Sequence, residues 1–368
     1  MKMGAPVIGL IDSAGLRLQE ATDALNGFGE IYRSQVMASG VIPQITAVFG
    51  NCGGGLALIP AMTDFAFMEE KKAKLFVNSP NALEGNEISR CDTSAAAFQS
   101  EETGMVDMVA DEASILAQIR QLVSILPANN ADYALTDCAD DLNRACAQIA
   151  GCVGDTAIAL SQIADDGLFV EVKQDYAKDM VAGFMRLNGA TVGAVANRTE
   201  VYDAEGEVTD KFDAVLSARG AEKAAEFVTF CDAFDIPVLS LTNVTGFAAT
   251  KCAEKRMAKA AGKLTYAFAN ATVPKVNVII GKAYGSAYVA MNSKALGADI
   301  TMAWPNAEIG MMDAKLAAKI ICDGQGADAI DTCAKEYAAL QNNVTSAARR
   351  GYVGQIVEPA DTRKYVIG

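Results

Sequence analysis

The chain has 368 residues, 51% of them hydrophobic, with a formal net charge of −14 and no histidine. That length suits two domains, each with a core of its own. The negative charge excludes a surface that neutralises nucleic-acid phosphates or adheres to an anionic membrane, and the missing histidine excludes Ser-His-Asp and Cys-His triads and HExxH zinc sites.

The chain opens with MKMGAPVIGLIDSAG, whose apolar stretch is short and broken by Asp12. No signal peptide is expected there, and a cytoplasmic location follows. PVIGLID (6–12) reads as a buried strand, residues 14–39 as a helix and QITAVFG (44–50) as a second strand, a β-α-β rhythm. The uncharged window from Ser34 to Thr63 could span a bilayer on length alone, but Pro43, Gln44, Asn51 and Pro60 mark it as core. Within it Gly53, Gly54 and Gly55 stand in a row. Each glycine costs roughly 0.5–1 kcal/mol against alanine inside an element, so something must approach this main chain closely. The adjacent Cys52 is one of nine cysteines with no CxxC pair, and reduced thiols are expected, Cys52 as small filler.

Strands at 64–70 and 74–78 follow, with Lys71, Lys72 and Lys74 read as a solvated loop or a local phosphate patch. Residues 128–150 lose the rhythm and gain Asp and Asn, which marks a linker between domains at 1–127 and 151–368. Asn188-Gly189 then signals a hairpin, and residues 224–247 a helix and a strand ending near Thr245-Gly246-Phe247.

Residues 276–304 repeat residues 45–69, with Gly50 against Gly281, Gly54 against Gly285 and Asp64 against Asp299. Each copy reads as strand, glycine turn, helix, aspartate, strand. Such a turn presents backbone N–H groups at the positive end of a helix and stabilises negative charge, whether a phosphate or an oxyanion. Neither copy is a GxxxxGK[ST] phosphate loop, and the GxGxxG dinucleotide fingerprint is absent as well.

The segments GAPVIGLIDSAGLRLQE, VIPQITAVFGNCGGG, FCDAFDIPVLSLTNVTGF, TVPKVNVIIGKAYGSAYVAMNSKALGAD, AWPNAEIGMM and AARRGYVGQIVEP resemble the carboxyltransferase subunits of biotin-dependent acyl-CoA carboxylases and decarboxylases, of the propionyl-CoA carboxylase β and methylmalonyl-CoA decarboxylase α type, in the crotonase superfamily. The resemblance implies an α/β fold of two crotonase-like ββα spiral domains, the first incomplete because relatives carry further residues before GAPVIG. It implies acyl-CoA on the N-terminal domain and biotin on the C-terminal one. Gly54 and Gly55 would supply amides to the acyl thioester, and Gly285, Ser286 and Ala287 to the biotin carbonyl. Ser13, Ala14, Gly15 and Val289 would bind substrate, with Val289 at the acyl end, and Arg17 could meet a CoA phosphate; no metal is expected.

The expected reaction moves a carboxyl group between carboxybiotin and a short-chain acyl-CoA. The biotin nitrogen serves as base, so a histidine-free chain suffices. Leu58 and Asn81 stand where related hydratases carry glutamates, which disfavours hydration. Met1-Lys2-Met3 lacks the context of a biotinylation site, so the biotin is expected on a separate biotin carboxyl carrier protein. A homo-oligomer, trimer or hexamer, is expected, with a biotin carboxylase or membrane decarboxylase subunit as a further partner. The same features leave a second reading open, a non-catalytic structural or assembly subunit with a shortened N-terminus and an altered segment 248–264.

Overall fold

The computed structural model describes residues 1–368 and divides into two compact units. The first comprises residues 1–134 with 172–177 and 233–235. Its elements are β1 (Val7–Ile11), α1 (Ala21–Ala38), β2 (Gln44–Val48), β3 (Asn51–Gly53), α2 (Leu58–Ala61), β4 (Phe65–Glu69), β5 (Lys74–Phe76), β6 (Met108–Ala110) and α3 (Glu112–Ile125). The strands form a parallel sheet in the order β1-β2-β4-β6, and β3 pairs with β5. QITAV and FAFME are buried at every position, the continuous apolar run a covered parallel sheet demands. Asp111 caps α3 by accepting the N–H groups of Ala113 and Ser114, and Ile115, Ile119, Leu122 and Ile125 form its buried stripe. The first helix begins at Ala21, later than the expected residue 14. Gly15 at φ +96° stands outside helical backbone, Ala21 at φ 43° separates a short 3₁₀ turn at Leu18–Glu20 from α1, and the Gly15 N–H turns back to Ser13 Oγ at 3.1 Å.

The second unit comprises residues 135–171, 178–232 and 236–368. It opens with α4 (Thr156–Ile163), β7 (Phe169–Glu171), β8 (Met180–Leu187), β9 (Ala190–Asn197), β10 (Glu200–Tyr202), β11 (Val208–Lys211) and α5 (Ala218–Ala233). β12 (Val238–Val244), α6 (Lys251–Asn270), β13 (Lys275–Tyr284), α7 (Gly285–Ala290), β14 (Ile300–Ala303) and β15 (Glu308–Gly310) follow. The chain closes with α8 (Ala314–Ile321), α9 (Ala327–Tyr337), α10 (Val344–Arg349), β16 (Gln355–Ile356) and α11 (Thr362–Ile367). The large sheet runs β16-β14-β13-β12-β9-β8-β7, with β15 paired to β13. Asn188 (φ 51°) and Gly189 (φ 76°) make the expected β8–β9 hairpin turn in the left-handed region such turns need.

The order β12-β13-β14-β16 in the second unit repeats β1-β2-β4-β6 in the first, and β15 joins the end of β13 as β5 joins β3. Residues 135–150, in the stretch expected to link two domains, are tied into the second unit. Arg144 donates to both Asp140 oxygens and to the carbonyls of Gln162 and Ala164. Arg363 of α11, fully buried, donates to Asp165 at 2.6 Å, to the Ile163 carbonyl at 2.5 Å and to the Asp141 carbonyl at 3.4 Å. No helix of the chain is long and apolar enough to cross a membrane.

Candidate active-site turns

In the first unit the approach to the glycines comes largely from the protein's own side chains. A Cβ at Gly50 would stand 1.9 Å from Asp12 Oδ1, which accepts the Asn51 N–H at 3.3 Å. One at Gly53 would fall 2.6 Å from the Phe76 ring. One at Gly55 would lie 2.9 Å from the Tyr32 hydroxyl, which donates to the Gly55 carbonyl at 2.6 Å. Gly54 differs, for a Cβ there meets nothing within 4 Å and the constraint is its φ of +63°. Gly54 opens a short 3₁₀ turn leading into α2, and no side chain caps it. The first amides of a helical turn have no partner inside it, so the turn itself does not consume the Gly54 and Gly55 donors. The Ser13 N–H donates to the Asn51 carbonyl at 2.9 Å, which sets the Ser13-Ala14-Gly15 loop beside this turn.

The second unit builds the same turn from different side chains. A Cβ at Gly281 would stand 2.6 Å from Asn243 Oδ1, which accepts the Lys282 N–H at 3.0 Å, as Asp12 accepts that of Asn51. Gly285 has φ +62° and opens α7, whose N-cap Tyr284 is extended and makes no side-chain cap. Ser286 and Ala287 complete the first turn, with Ala287 fully buried. Asp299 accepts the Lys275 N–H at 2.8 Å as Asp64 accepts that of Gln44 at 2.7 Å, so each aspartate after the turn fixes the start of its strand.

Val289, also on α7, is 41% exposed. Arg17 pairs with Glu20 at 3.5 Å on an exposed surface, Lys71 with Glu70 at 2.7 Å and Lys74 with Asp92 at 2.6 Å. Burial pushes the Cys52 thiol up to about 11, so it stays protonated and unreactive at neutral pH. Trp304 and Tyr284 are both buried.

Sequence reasoning passed over one loop. Thr245-Gly246 leaves β12 beside the end of β13, where Val244 pairs with Ala283, and so matches Ala14-Gly15 beside β2. The Thr245 N–H donates to the Ala214 carbonyl at 2.7 Å, and the Gly246 carbonyl accepts from Leu216 at 2.9 Å. The signal was present: Asp12 and Gly15 precede the first turn as Asn243 and Gly246 precede the second.

Residues 1–368 match the carboxyl transferase domain family along their whole length. The chain is 39% identical over 386 residues to the propionyl-CoA carboxylase carboxyltransferase subunit of Haloferax mediterranei, a match covering 100% of this chain and 73% of that protein. It is 37% identical over 385 residues to methylmalonyl-CoA decarboxylase subunit alpha of Propionigenium modestum, covering 100% and 72% respectively. Among solved structures it resembles the hexameric transcarboxylase 12S with hydrolysed methylmalonyl-coenzyme A bound. The TM-score is 0.91 and the identity 34%, over 100% of this chain and 72% of that one.

Proposed function

The chain belongs to the carboxyl transferase family, and on that premise we propose that it moves a carboxyl group between biotin on a separate carrier protein and a short-chain acyl-CoA. Its activity class is acyl-CoA carboxyl transfer, and its fold is the mixed α/β, crotonase-like one of transcarboxylase 12S. The observation that supports the finer reading is the matched pair of uncapped glycine turns, each opening on a left-handed glycine. Two turns of one design suit two carbonyl oxygens that gain charge in one reaction.

On this reading Gly54 and Gly55 donate to the thioester oxygen, with Ser13, Ala14 and Gly15 beside it. Gly285, Ser286 and Ala287 donate to the ureido oxygen. The donors are main-chain amides, so Ser286 serves as a glycine would. Carboxybiotin, when bound, supplies or receives the carboxyl group. The exposed Val289 side chain cannot hydrogen-bond a distal carboxylate and favours an apolar acyl end. A homo-oligomer fits the likeness to a hexameric relative.

The test is decarboxylation of malonyl- and methylmalonyl-CoA by the purified chain, with free biotin or a biotinylated carrier. Turnover that rises with biotin is expected, and turnover indifferent to biotin overturns the reading. Gly55→Val should cost about 10²–10³-fold in kcat through the lost amide geometry. Tyr32→Phe, which removes the hydroxyl that a valine would meet, is the control and should retain most activity.

A further inference from the structure

Tyr284 is 1% exposed, yet its hydroxyl is not idle: it donates to the carboxylate of Glu308 on β15. β13 and β15 run parallel here, with Lys282 against Glu308 and Tyr284 against Gly310. The residue that precedes the second glycine turn is thus held to the neighbouring strand by main chain and side chain together. Burial raises the Tyr284 hydroxyl pKa well above its ordinary value, and the bond to Glu308 raises it further, so Tyr284 remains the donor.

The segment after β15 returns over the turn. The Met311 carbonyl stands 3.2 Å from where a Cβ at Gly285 would be, and the Met312 carbonyl accepts from Asn342 Nδ2 at 3.1 Å. Asn342 is 3% exposed, and its Oδ1 lies 2.2 Å from a Cβ position at Gly310, a packing only glycine permits. That Oδ1 finds no hydrogen-bond donor. Asn342 is thus wedged between the Gly310 main chain and the Met312 carbonyl.

We propose that Tyr284, Glu308 and Asn342 are positioning residues that hold the Gly285 turn in its left-handed geometry, Tyr284 and Glu308 from the strand side and Asn342 through the Met311-Met312 segment laid against it. None of the three needs to touch the reacting atoms. The catalytic part of the claim rests on the assignment of the Gly285, Ser286 and Ala287 amides to an oxyanion; the structural part does not.

The experiment therefore has two readouts on Tyr284→Phe, Glu308→Ala, Glu308→Gln and Asn342→Ala. Hydrogen exchange reads the laddered amides of β13 and β15 at 282–284 and 308–310, with those of β3 and β5 as internal control. Exchange about tenfold faster is expected along β13 and β15 in Tyr284→Phe, Glu308→Ala and Asn342→Ala, with no change along β3 and β5. Glu308→Gln keeps an acceptor for the tyrosine hydroxyl and should restore most of the protection. In steady state the same three variants should lower kcat about tenfold or more with KM for the acyl-CoA unchanged. The loss should persist when rates are normalised to the folded fraction read from urea curves, which general destabilisation does not give. Protection and kcat both unchanged in folded Tyr284→Phe and Asn342→Ala overturn the proposal. Loosened amides in a chain whose wild type shows no biotin-dependent turnover uphold the clamp and remove the functional reading instead.

Discussion

Gly50 and Gly281 do the same work against different neighbours, a carboxylate at Asp12 and an amide at Asn243. Gly50 is not among the residues with positive φ, so alanine there probes packing with no backbone strain. Its Cβ would displace the Asp12 carboxylate and break the bond from the Asn51 N–H. Gly50→Ala should cost about 1–3 kcal/mol, and Asp12→Ala alone about 1 kcal/mol for the lost acceptor. The double variant should recover part of the loss, since the second change removes what the first collides with. Urea unfolding of the four proteins measures the coupling. Strict additivity would separate the two residues and refute the contact as the reason for the glycine.

At the scale of elements, each aspartate after a turn binds the amide at the start of the strand that precedes it. Burial raises the Asp64 carboxyl to about 6, while the Gln44 amide pulls it down and Asp107 pushes it up. Unfolded, it titrates near 3.8. Between those values the folded chain keeps a proton the unfolded chain has lost, so this group lowers stability as pH rises through the window and changes nothing above it. Asp64→Asn keeps an acceptor for Gln44 and has no charge to desolvate. The variant should gain on wild type by about 2–3 kcal/mol between pH 4 and pH 7, read from urea midpoints across the range. A slope that survives unchanged in Asp64→Asn assigns it to another carboxylate. These elements also show what a sequence can reveal. The duplicated turns and the Asn188-Gly189 hairpin were legible because their constraint is local, a left-handed backbone that glycine and asparagine tolerate. The start of α1 was misplaced because apolar periodicity continues through residues whose backbone angles are not helical. The pairing of Asp12 with Gly50 and of Asn243 with Gly281 was not legible, since it joins neighbouring parallel strands through two different side chains. The Tyr284 to Glu308 bond escaped for a like reason: tyrosine and glutamate in an apolar strand pattern look like packing and surface.

At the scale of the whole molecule, the least legible feature is the anchorage of the chain's last helix. Arg363 reaches Asp165, 198 residues earlier in sequence, and the Asp141 carbonyl, 222 residues earlier. No periodicity encodes such a contact. The buried pair closes the second unit around α4, α11 and residues 135–150, and Asp140, held at about 2 by the Arg144 guanidinium, lies 3.3 Å from Arg363 as well. Removing one partner of a buried ion pair strands the other, which costs about 3–5 kcal/mol, whereas replacing both by apolar groups of similar size is close to neutral. The chain carries its own probe of this region. Its single tryptophan, Trp304, is buried in the second unit and donates to the Thr362 hydroxyl at 3.0 Å, one residue from Arg363. Arg363→Met should shift the urea midpoint read by Trp304 fluorescence down by the equivalent of about 3–5 kcal/mol. Asp140 still has Arg144 in that variant, so Asp165 is the carboxylate left short of a partner. Asp165 also accepts the N–H groups of Asn188 and Gly189, so Asp165→Asn in the Arg363→Met background should return only part of the loss. An Arg363→Met midpoint equal to wild type would show that the apolar core alone closes the second unit and that the arginine is dispensable to it.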